Sequence, residues 1–245
     1  MDAGTGIVSL GDELVRRATL PPIRILFTHL HLDHVIGLPT FKPLFRKDAR
    51  ITLMGSSTSS GRWRQALSTM FGKPLWPVGL SDVEATVRFE DLEGRGPRTL
   101  CGIQVSWCPV RHPQGCLSFR IETSDGVIVL ATDREHGDRQ RDRAFLSFCR
   151  GADILIHDAQ YTPEESHRRR GWGHSTWEQA ARVAKAAGVR KLVLTSHDPS
   201  RSDAQVDRIV AKARRIFPNT VGAAEGLVLA AKRHRAQLNA IRRLT

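Results

Sequence analysis

"FTHLHLDHVIGL", residues 27–38, places three histidines and an aspartate within six consecutive positions: His29, His31, Asp33 and His34. The stretch continues the apolar, β-branched run "IRILF" at 23–27, which predicts a strand. Neither helical nor strand periodicity accounts for the polar pattern, and a solvated loop has no need of it. We therefore interpret it as metal-binding, because imidazole and carboxylate together suit zinc, or manganese and iron in less selective sites.

Length and composition predict a single globular domain, residues 1–245. No stretch approaches the roughly 18–20 apolar residues of a membrane helix, so we expect no membrane association. The start "MDAGTGIVSL" lacks the basic region of a signal peptide. The four cysteines show no CxxC spacing, which indicates reduced thiols in or near the core of a cytoplasmic protein.

The net charge of +12 suggests an anionic partner, and nucleic acid is the first candidate. Two observations weigh against it. Only seven of the 37 basic residues are lysine, a bias that a GC-rich genome also produces, and a single tyrosine leaves little aromatic surface for base stacking. The arginines are scattered except in "HRRR" at 167–170 and in the tail "KRHRAQLNAIRR" at 232–243. Charge alone therefore leaves nucleic-acid binding open.

Short apolar runs alternate with helical patterns along the chain, which predicts a layered α/β domain. Predicted strands cover 23–27, 51–54, 103–107, 117–122, 127–132, 153–157, 191–195 and 226–230. Predicted helices cover 62–71, 140–149, 203–216 and the segment "HSTWEQAARVAKAAG", for which we expect a capping box from Ser175 to Glu178 and an end at Gly188.

Further candidate ligands follow other predicted strands. His112 comes after 103–107, Asp133 after 127–132, and His197 after 191–195. If these strand ends lie side by side with the end of 23–27 on one sheet edge, seven ligands converge. Such an inventory suits two ions: His29, His31 and His112 for one, Asp33, His34 and His197 for the other, and Asp133 as a bridge. Each of His112, Asp133 and His197 taken alone is equally compatible with a surface, core or capping role.

The motif "THLHLDH" resembles the HxHxDH signature of the metallo-β-lactamase fold superfamily. The resemblance continues in order with "DAGTG" at 2–6, "RHP" at 111–113, "TD" at 132–133 and "TSHDP" at 195–199. It implies a four-layer αββα sandwich and the same two-metal assignment. The segment from 155 to 197 resembles the phosphodiesterase side of the superfamily, including tRNase Z, and there a comparable "HST" stretch contributes an active-site histidine, here His174.

Two departures from that family modify the expectation. A β-hairpin normally precedes "DAGTG", so we expect the first N-terminal strands of the sandwich to be missing. tRNase Z carries a long tRNA-binding arm between the positions of His112 and Asp133. Here only 20 residues separate them, and they are predicted to form two strands joined by the turn "TSDG". A tRNA endonuclease of that type is therefore disfavoured.

Several residues near the proposed ligands have two interpretations. His157 and Asp158 either orient metal ligands or are packed polar groups at a strand end. His174 is either a general acid close to the metals or a surface histidine at a helix start. Glu135 and His136 are each compatible with plain loop surface, and neither is proposed as a site residue. Asp2 and the "GTG" turn are expected to support the metal-binding loop.

We conclude from the sequence that the chain is a dinuclear metal-dependent hydrolase. Its substrate is predicted to be a small-molecule or nucleotide phosphodiester, attacked by a metal-bridging hydroxide that Asp33 positions, with His174 assisting the leaving group. One alternative is hydrolysis of a lactone, thioester or β-lactam, because the fold and metals do not set the substrate. Another is a non-catalytic nucleic-acid-binding or scaffold protein. The sequence also leaves a homodimer open.

Overall fold

The computed structural model describes residues 1–56 and 63–231. The basic tail at 232–243 lies outside these residues. The chain divides into two compact units, residues 1–95 with 114–117, and residues 96–113 with 118–245. The single domain expected over 1–245 stays a prediction. Among residues 1–56 and 63–231, none of the helices is both long and apolar enough to cross a membrane.

The first unit contains a sheet of three parallel strands in the order β1 (Ile23–Leu26), β2 (Arg50–Gly55) and β3 (Thr86–Asp91). Its helices are α1 (Gly6–Leu14), α2 (Trp63–Met70) and three short 3₁₀ helices at Leu32–His34, Leu38–Thr40 and Lys42–Phe45. The core of this unit contains Phe27, Leu53, Trp63 and Phe71. Helix α2 forms where it was predicted because Trp63 and Leu67, four residues apart, share one buried face.

The second unit is organised around a seven-stranded sheet with the order β10-β9-β8-β7-β6-β5-β4. The strands are β4 (Arg98–Leu100), β5 (Ile103–Val110), β6 (Cys116–Glu122), β7 (Val127–Ala131), β8 (Ile154–Asp158), β9 (Lys191–Thr195) and β10 (Thr220–Gly222). Strands β7, β8, β9 and β10 are parallel neighbours, so their carboxyl ends meet at one edge. The β6–β7 hairpin fills the interval between His112 and Asp133, as predicted.

Four helices accompany this sheet: α3 (Arg139–Cys149), α4 (Pro163–Ser166), α5 (Trp177–Ala187) and α6 (Asp203–Arg214). Helix α5 packs on β8 and β9 through a buried face of small side chains, Ala180, Ala181, Ala184 and Ala187. It ends at Gly188, which has the left-handed backbone expected of a helix C-cap. The predicted end of this helix is therefore confirmed.

The start of α5 differs by one residue from the prediction. The capping box is formed by Thr176 and Gln179, not by Ser175 and Glu178. The reason is that the Ser175 hydroxyl is buried and donates a hydrogen bond to the Arg134 carbonyl at 2.6 Å. That bond leaves Thr176, the next residue, to receive the amide of Gln179.

Other predictions of secondary structure were wrong. The apolar run at 226–230 contains no strand, and Val228 is 89% exposed. The place beside β9 is taken by β10, where Thr220 pairs with Leu192. Helix α1 and strands β3, β4 and β10 were not predicted, because short or mixed-polarity elements carry little periodicity. Cys101, expected in or near the core, is exposed at the turn between β4 and β5.

The expected single sheet edge is also wrong in one respect. β1, which precedes the histidine-rich loop, belongs to the three-stranded sheet of the first unit. The strands that precede His112, Asp133 and His197 are β5, β7 and β9 of the seven-stranded sheet. Periodicity identifies strands, but it does not say which sheet a strand joins.

Candidate active site

The loop after β1 brings three imidazole rings together. The His29 and His31 ring centroids are 4.5 Å apart, and those of His29 and His34 are 4.2 Å apart. Asp33 and His34 lie in the 3₁₀ helix Leu32–His34, and the Asp33 side chain is 78% exposed. An Asp33 carboxylate oxygen is 3.3 Å from His34 Nε2. The loop thus groups every ligand that the motif supplies.

Asp2 determines the tautomers of two of these histidines. Its carboxylate accepts from the Thr28 amide at 2.7 Å, from Thr28 Oγ1 at 2.9 Å, and from His34 Nδ1 at 2.9 Å. Because Thr28 Oγ1 uses its proton on Asp2, it accepts from His29 Nδ1, which lies 3.0 Å away. His29 and His34 therefore both carry their proton on Nδ1 and present Nε2 as a metal-binding atom.

The "DAGTG" segment also supports the loop through its backbone. The Ala3 amide donates to the His34 carbonyl at 2.7 Å, and the Asp2 amide donates to the Leu26 carbonyl at 2.8 Å. Gly4 lies so close to the Asp33 carbonyl that any side chain there would approach within 3.0 Å. The support predicted for Asp2 and this turn is confirmed, and Gly4 is required for the close approach.

In the second unit, Asp133 follows β7 and is buried between two histidines. One of its carboxylate oxygens, Oδ2, is 3.7 Å from His112 Nε2 and 3.9 Å from His174 Nε2. The Ser196 hydroxyl, just after β9, donates to the Thr132 carbonyl at 2.8 Å and lies 3.3 Å from the other Asp133 oxygen. The sequence-predicted residues His112, Asp133 and His174 are thus neighbours within this unit.

Gly173 fixes the orientation of His112. The His112 Nδ1–H donates to the Gly173 carbonyl at 2.8 Å, so Nε2 is left to face Asp133. Gly173 has a positive φ of 91°, and a Cβ there would approach both the His112 ring and Pro113 to within 3.0 Å. Glycine is required at position 173 for two reasons: the left-handed backbone conformation and the absence of a side chain.

Asp158 orients His174. It is the last residue of β8, fully buried, and its Oδ2 accepts from His174 Nδ1 at 3.0 Å and from the Arg134 and Ser175 amides. His174 therefore directs Nε2 at Asp133. Burial raises the pKa of Asp158 to about 6, while the hydrogen bond from His174 opposes the shift. The Asp158 carboxylate accepts the Nδ1–H of His174, and its negative charge would stabilise positive charge on that ring.

His157 lies away from this group. Its Nδ1 donates to the Asp158 carbonyl at 2.7 Å, and its ring stacks on His136 at 5.8 Å. Arg134, only 1% exposed, contacts both rings and places its guanidinium 4.0 Å from the centre of the Phe145 ring. Burial, aided by Arg134, lowers the pKa of His157 to about 3. Of the two uncertain residues, Asp158 is therefore the orienting one and His157 is a neutral packed group.

Glu135, for which the sequence left a loop-surface position open, does not lie on the surface. It is buried, and its two carboxylate oxygens accept from the Gly171 amide at 2.8 Å and the Gly173 amide at 3.0 Å. Glu135 thus holds the backbone that carries His174. No sequence signal identifies it, because its partners are main-chain groups about 36 residues away.

His197 follows β9, next to Ser196, which has a positive φ of 53°. Within residues 1–56 and 63–231, neither of its ring nitrogens has a hydrogen-bond partner, although both are buried. Buried polar atoms are normally satisfied. A bound cation would satisfy one of the two nitrogens, which makes His197 compatible with its predicted role as a ligand.

A cavity of about 520 Å³ opens beside His174 in the second unit. Three arginines line it, namely Arg111, Arg169 and Arg170, together with a single carboxylate, Glu135. Half of this lining, five of ten residues, belongs to the segment between Tyr161 and Thr176. A parallel β-bridge between those two residues closes the segment at its base. The cavity is therefore positively charged.

The donor atoms fit a divalent metal ion. In the second unit the carboxylate that a cation would bind is Asp133, whose Oδ2 lies 3.7 Å from His112 Nε2. His112 presents Nε2 to the same carboxylate, while its other nitrogen is hydrogen-bonded outwards. Metal-binding histidines show this pattern, in which the second ring nitrogen donates to a carbonyl or carboxylate.

Comparison with known proteins identifies the family. The family model of the beta-lactamase superfamily domain matches residues 1–197. The chain belongs to the beta-lactamase superfamily. A ribonuclease Z from Anoxybacillus flavithermus is 39% identical over 242 residues, covering 82% of this chain and 77% of that protein. A ribonuclease Z from Gemmatimonas aurantiaca is 28% identical over 244 residues with the same coverage.

The fold of this superfamily member also has solved counterparts. The metallo-beta-lactamase fold protein YhfI from Bacillus subtilis matches with a TM-score of 0.70 at 20% identity, over 91% of this chain and 82% of that chain. This likeness confirms the predicted α/β fold class. Membership of the superfamily and the ribonuclease Z relatives identify the chain as a metal-dependent hydrolase, as predicted.

We expect Gly173→Ala to destabilise the second unit and to displace His112. The added methyl group would overlap the His112 ring and Pro113. The matched control is Gly171→Ala, because Gly171 has a similar φ of 85°, but a Cβ added there would meet no heavy atom within 4 Å. The control should cost only about 1–2 kcal/mol for the left-handed backbone. The Tm from thermal unfolding and the metal content are measured for both variants and compared with those of the wild type. Equal losses in the two would contradict the steric argument.

Proposed function

We propose that the chain hydrolyses phosphodiesters with two divalent ions, zinc first and manganese or iron as alternatives. The first ion would be held by His29, His31 and His112, and the second by Asp33, His34 and His197. Asp133 would be a ligand of both. This assignment rests on the order of the motifs along the chain and on membership of the superfamily. Hydrogen bonds at Nδ1 of His29, His34 and His112, the nitrogen that metal-binding histidines commonly direct at a second protein group, support it.

When bound, such ions supply an activated water at neutral pH and neutralise the charge of the phosphoryl group. The protein supplies orientation and a proton. The exposed Asp33 carboxylate accepts a hydrogen bond from the attacking water and aligns it. His174, protonated on Nε2 and stabilised by Asp158 at Nδ1, donates its proton to the departing oxygen.

The observation that carries the choice of substrate is the charge of the cavity beside His174. Three arginines and one glutamate line it, and the Glu135 charge is already compensated by two backbone amides. Such a surface suits a phosphodiester, whose charge persists through the reaction. The acyl group of a lactone, thioester or β-lactam gains little from it, which places acyl hydrolysis second.

The ribonuclease Z relatives make a nucleic acid or nucleotide the proposed source of the phosphodiester. Residues 113–132 consist of the β6–β7 hairpin and its flanks, with no room for an arm that would hold a folded RNA. We therefore propose a short or single-stranded substrate. The chain's free cysteines suit an enzyme of the cytoplasm.

A substrate panel tests this function. Purified protein loaded with Zn²⁺ or Mn²⁺ is assayed against bis(p-nitrophenyl) phosphate, a thioester, a lactone and a cephalosporin. We expect metal-dependent turnover of the phosphodiester alone, abolished by a chelator and restored by metal. Faster turnover of any of the three acyl substrates would contradict the proposal and identify the enzyme as a hydrolase of that substrate class.

A further inference from the structure

We propose that the cavity beside His174 is a subsite for the phosphate next to the scissile one, with a nucleobase stacked on Trp172. This inference rests on the proposed phosphodiesterase function and assigns its substrate preference. It predicts that the enzyme selects substrates with at least two phosphates. The arginines that line the cavity, and not the metal ligands, would then set this selectivity.

The arginines of the cavity carry more positive charge than the neighbouring carboxylates neutralise, so a second phosphate can bind there. Arg169 is compensated by Asp198, whose carboxylate lies 3.1 Å away. Arg111 lies 3.7 Å from Glu135, and its side chain is 42% exposed. Arg170 is exposed and forms no ion pair with the described parts of the chain, 1–56 and 63–231. Arg111 and Arg170 are therefore the two cations available to a ligand.

The size of the cavity indicates more than one phosphate. Its volume of about 520 Å³ lies in the range of sites that enclose a whole small molecule, on the order of 300–1,000 Å³. His174 lines one part of it and directs Nε2 at Asp133. A scissile phosphate at the Asp133 side therefore leaves the arginine-lined remainder for a neighbouring phosphate of the same chain.

Trp172 supplies a surface for a base. Its indole is 62% exposed, in a segment otherwise rich in arginine. The guanidinium of the cavity-lining Arg169 lies 6.0 Å from the centre of the Trp172 ring, so the indole is close to the cavity. Two Glu135 hydrogen bonds hold the flanking glycine amides, which fixes the backbone on either side of Trp172. An exposed aromatic side chain beside arginines is the usual stacking platform for single-stranded nucleic acid.

The experiment compares two esters with the same leaving group: p-nitrophenyl thymidine 5′-phosphate, with one phosphate, and the p-nitrophenyl ester of a thymidine dinucleotide, with two. For the metal-loaded wild type we expect kcat/KM to be roughly ten- to a hundredfold higher for the dinucleotide, the range of one or two charge-assisted hydrogen bonds. The advantage should shrink with rising salt, because exposed arginines are screened.

Substitutions test which residues produce the higher kcat/KM for the dinucleotide. Arg111→Ala and Arg170→Ala should each reduce the ratio of the two kcat/KM values towards one, mainly through KM. Trp172→Ala should also reduce it, and Trp172→Phe should restore it in part. The matched control is Arg168→Ala, which removes an exposed arginine of the same segment that does not line the cavity. The control should keep the wild-type ratio.

The outcomes separate this inference from the proposed function. If both esters are hydrolysed with a ratio near one, the subsite is wrong and the phosphodiesterase stands. If neither is hydrolysed, the proposed function fails, and calorimetric titration with a 5′-phosphorylated dinucleotide still tests the subsite. Binding that is equal in the wild type and Arg170→Ala, or equally strong binding of an acidic peptide, overturns it.

Discussion

Asp133→Ala is expected to lower kcat for phosphodiester hydrolysis by about 10³-fold or more, because a metal ion contributes several kcal/mol of charge stabilisation and each 1.36 kcal/mol is a factor of ten. Asp133 is the one proposed ligand shared by both ions. Elemental analysis should show metal content falling from about two ions per chain, the proposed dinuclear stoichiometry, to below one.

The same variant should not unfold the metal-free protein. Asp133 is buried, so its charge is costly to desolvate, and the Nε2 atoms of His112 and His174 lie 3.7 and 3.9 Å away, beyond hydrogen-bond distance. We therefore expect the Tm of the metal-free variant to match or exceed that of the wild type. Asp125→Ala, in the exposed turn between β6 and β7, is the control and should keep both activity and metal. Full metal retention by Asp133→Ala would remove this residue from the bridge.

His174→Ala is expected to lower kcat by roughly 10²–10⁴-fold for phosphodiesters with poor leaving groups, the usual range for a positioned general acid. The interaction forms mainly in the transition state, so KM should change little. With p-nitrophenolate, which needs little protonation to depart, the defect should be much smaller. If His174→Ala keeps the wild-type kcat on phosphodiesters with poor leaving groups, His174 is not the general acid and is a surface histidine.

Two further measurements check the assignment of His174. The metal content of the variant should equal that of the wild type, because His174 is in neither proposed ligand set, and a loss of metal would mean that the ligands are wrongly assigned. Asp158→Asn should reproduce part of the kinetic defect, since the amide keeps the shape but no longer stabilises a protonated imidazole. The dependence on leaving group should then have the same direction in both variants.

Local chemistry made much of the site predictable. The HxHxDH run, its support by Asp2 and the strands that precede His112, Asp133 and His197 follow from short-range patterns. The positions of β7, β8 and β9 do too, because buried parallel strands are nearly continuous apolar runs. The seven ligands themselves, like the missing first strands, stay predictions.

Long-range placement explains what the sequence could not supply. Glu135 acts through main-chain amides of a distant segment, so no side-chain pattern points to it. His157 and Asp158 are adjacent on β8 and point to opposite faces, and only the register of the sheet decides which one meets His174. Likewise, the strand that pairs with β9 is the shorter β10, and not the apolar run at 226–230 that was predicted to be a strand.

The β-bridge between Tyr161 and Thr176 has a consequence for how such an enzyme can diverge. The bridge, Asp158 and Glu135 hold both ends of the intervening segment from the outside, using none of the side chains at 163–170. Insertions, deletions or exchanges at 163–170 therefore leave His174 where it is. Substitutions in this one surface segment can therefore change substrate specificity during evolution, while the position of His174 and the reaction stay the same.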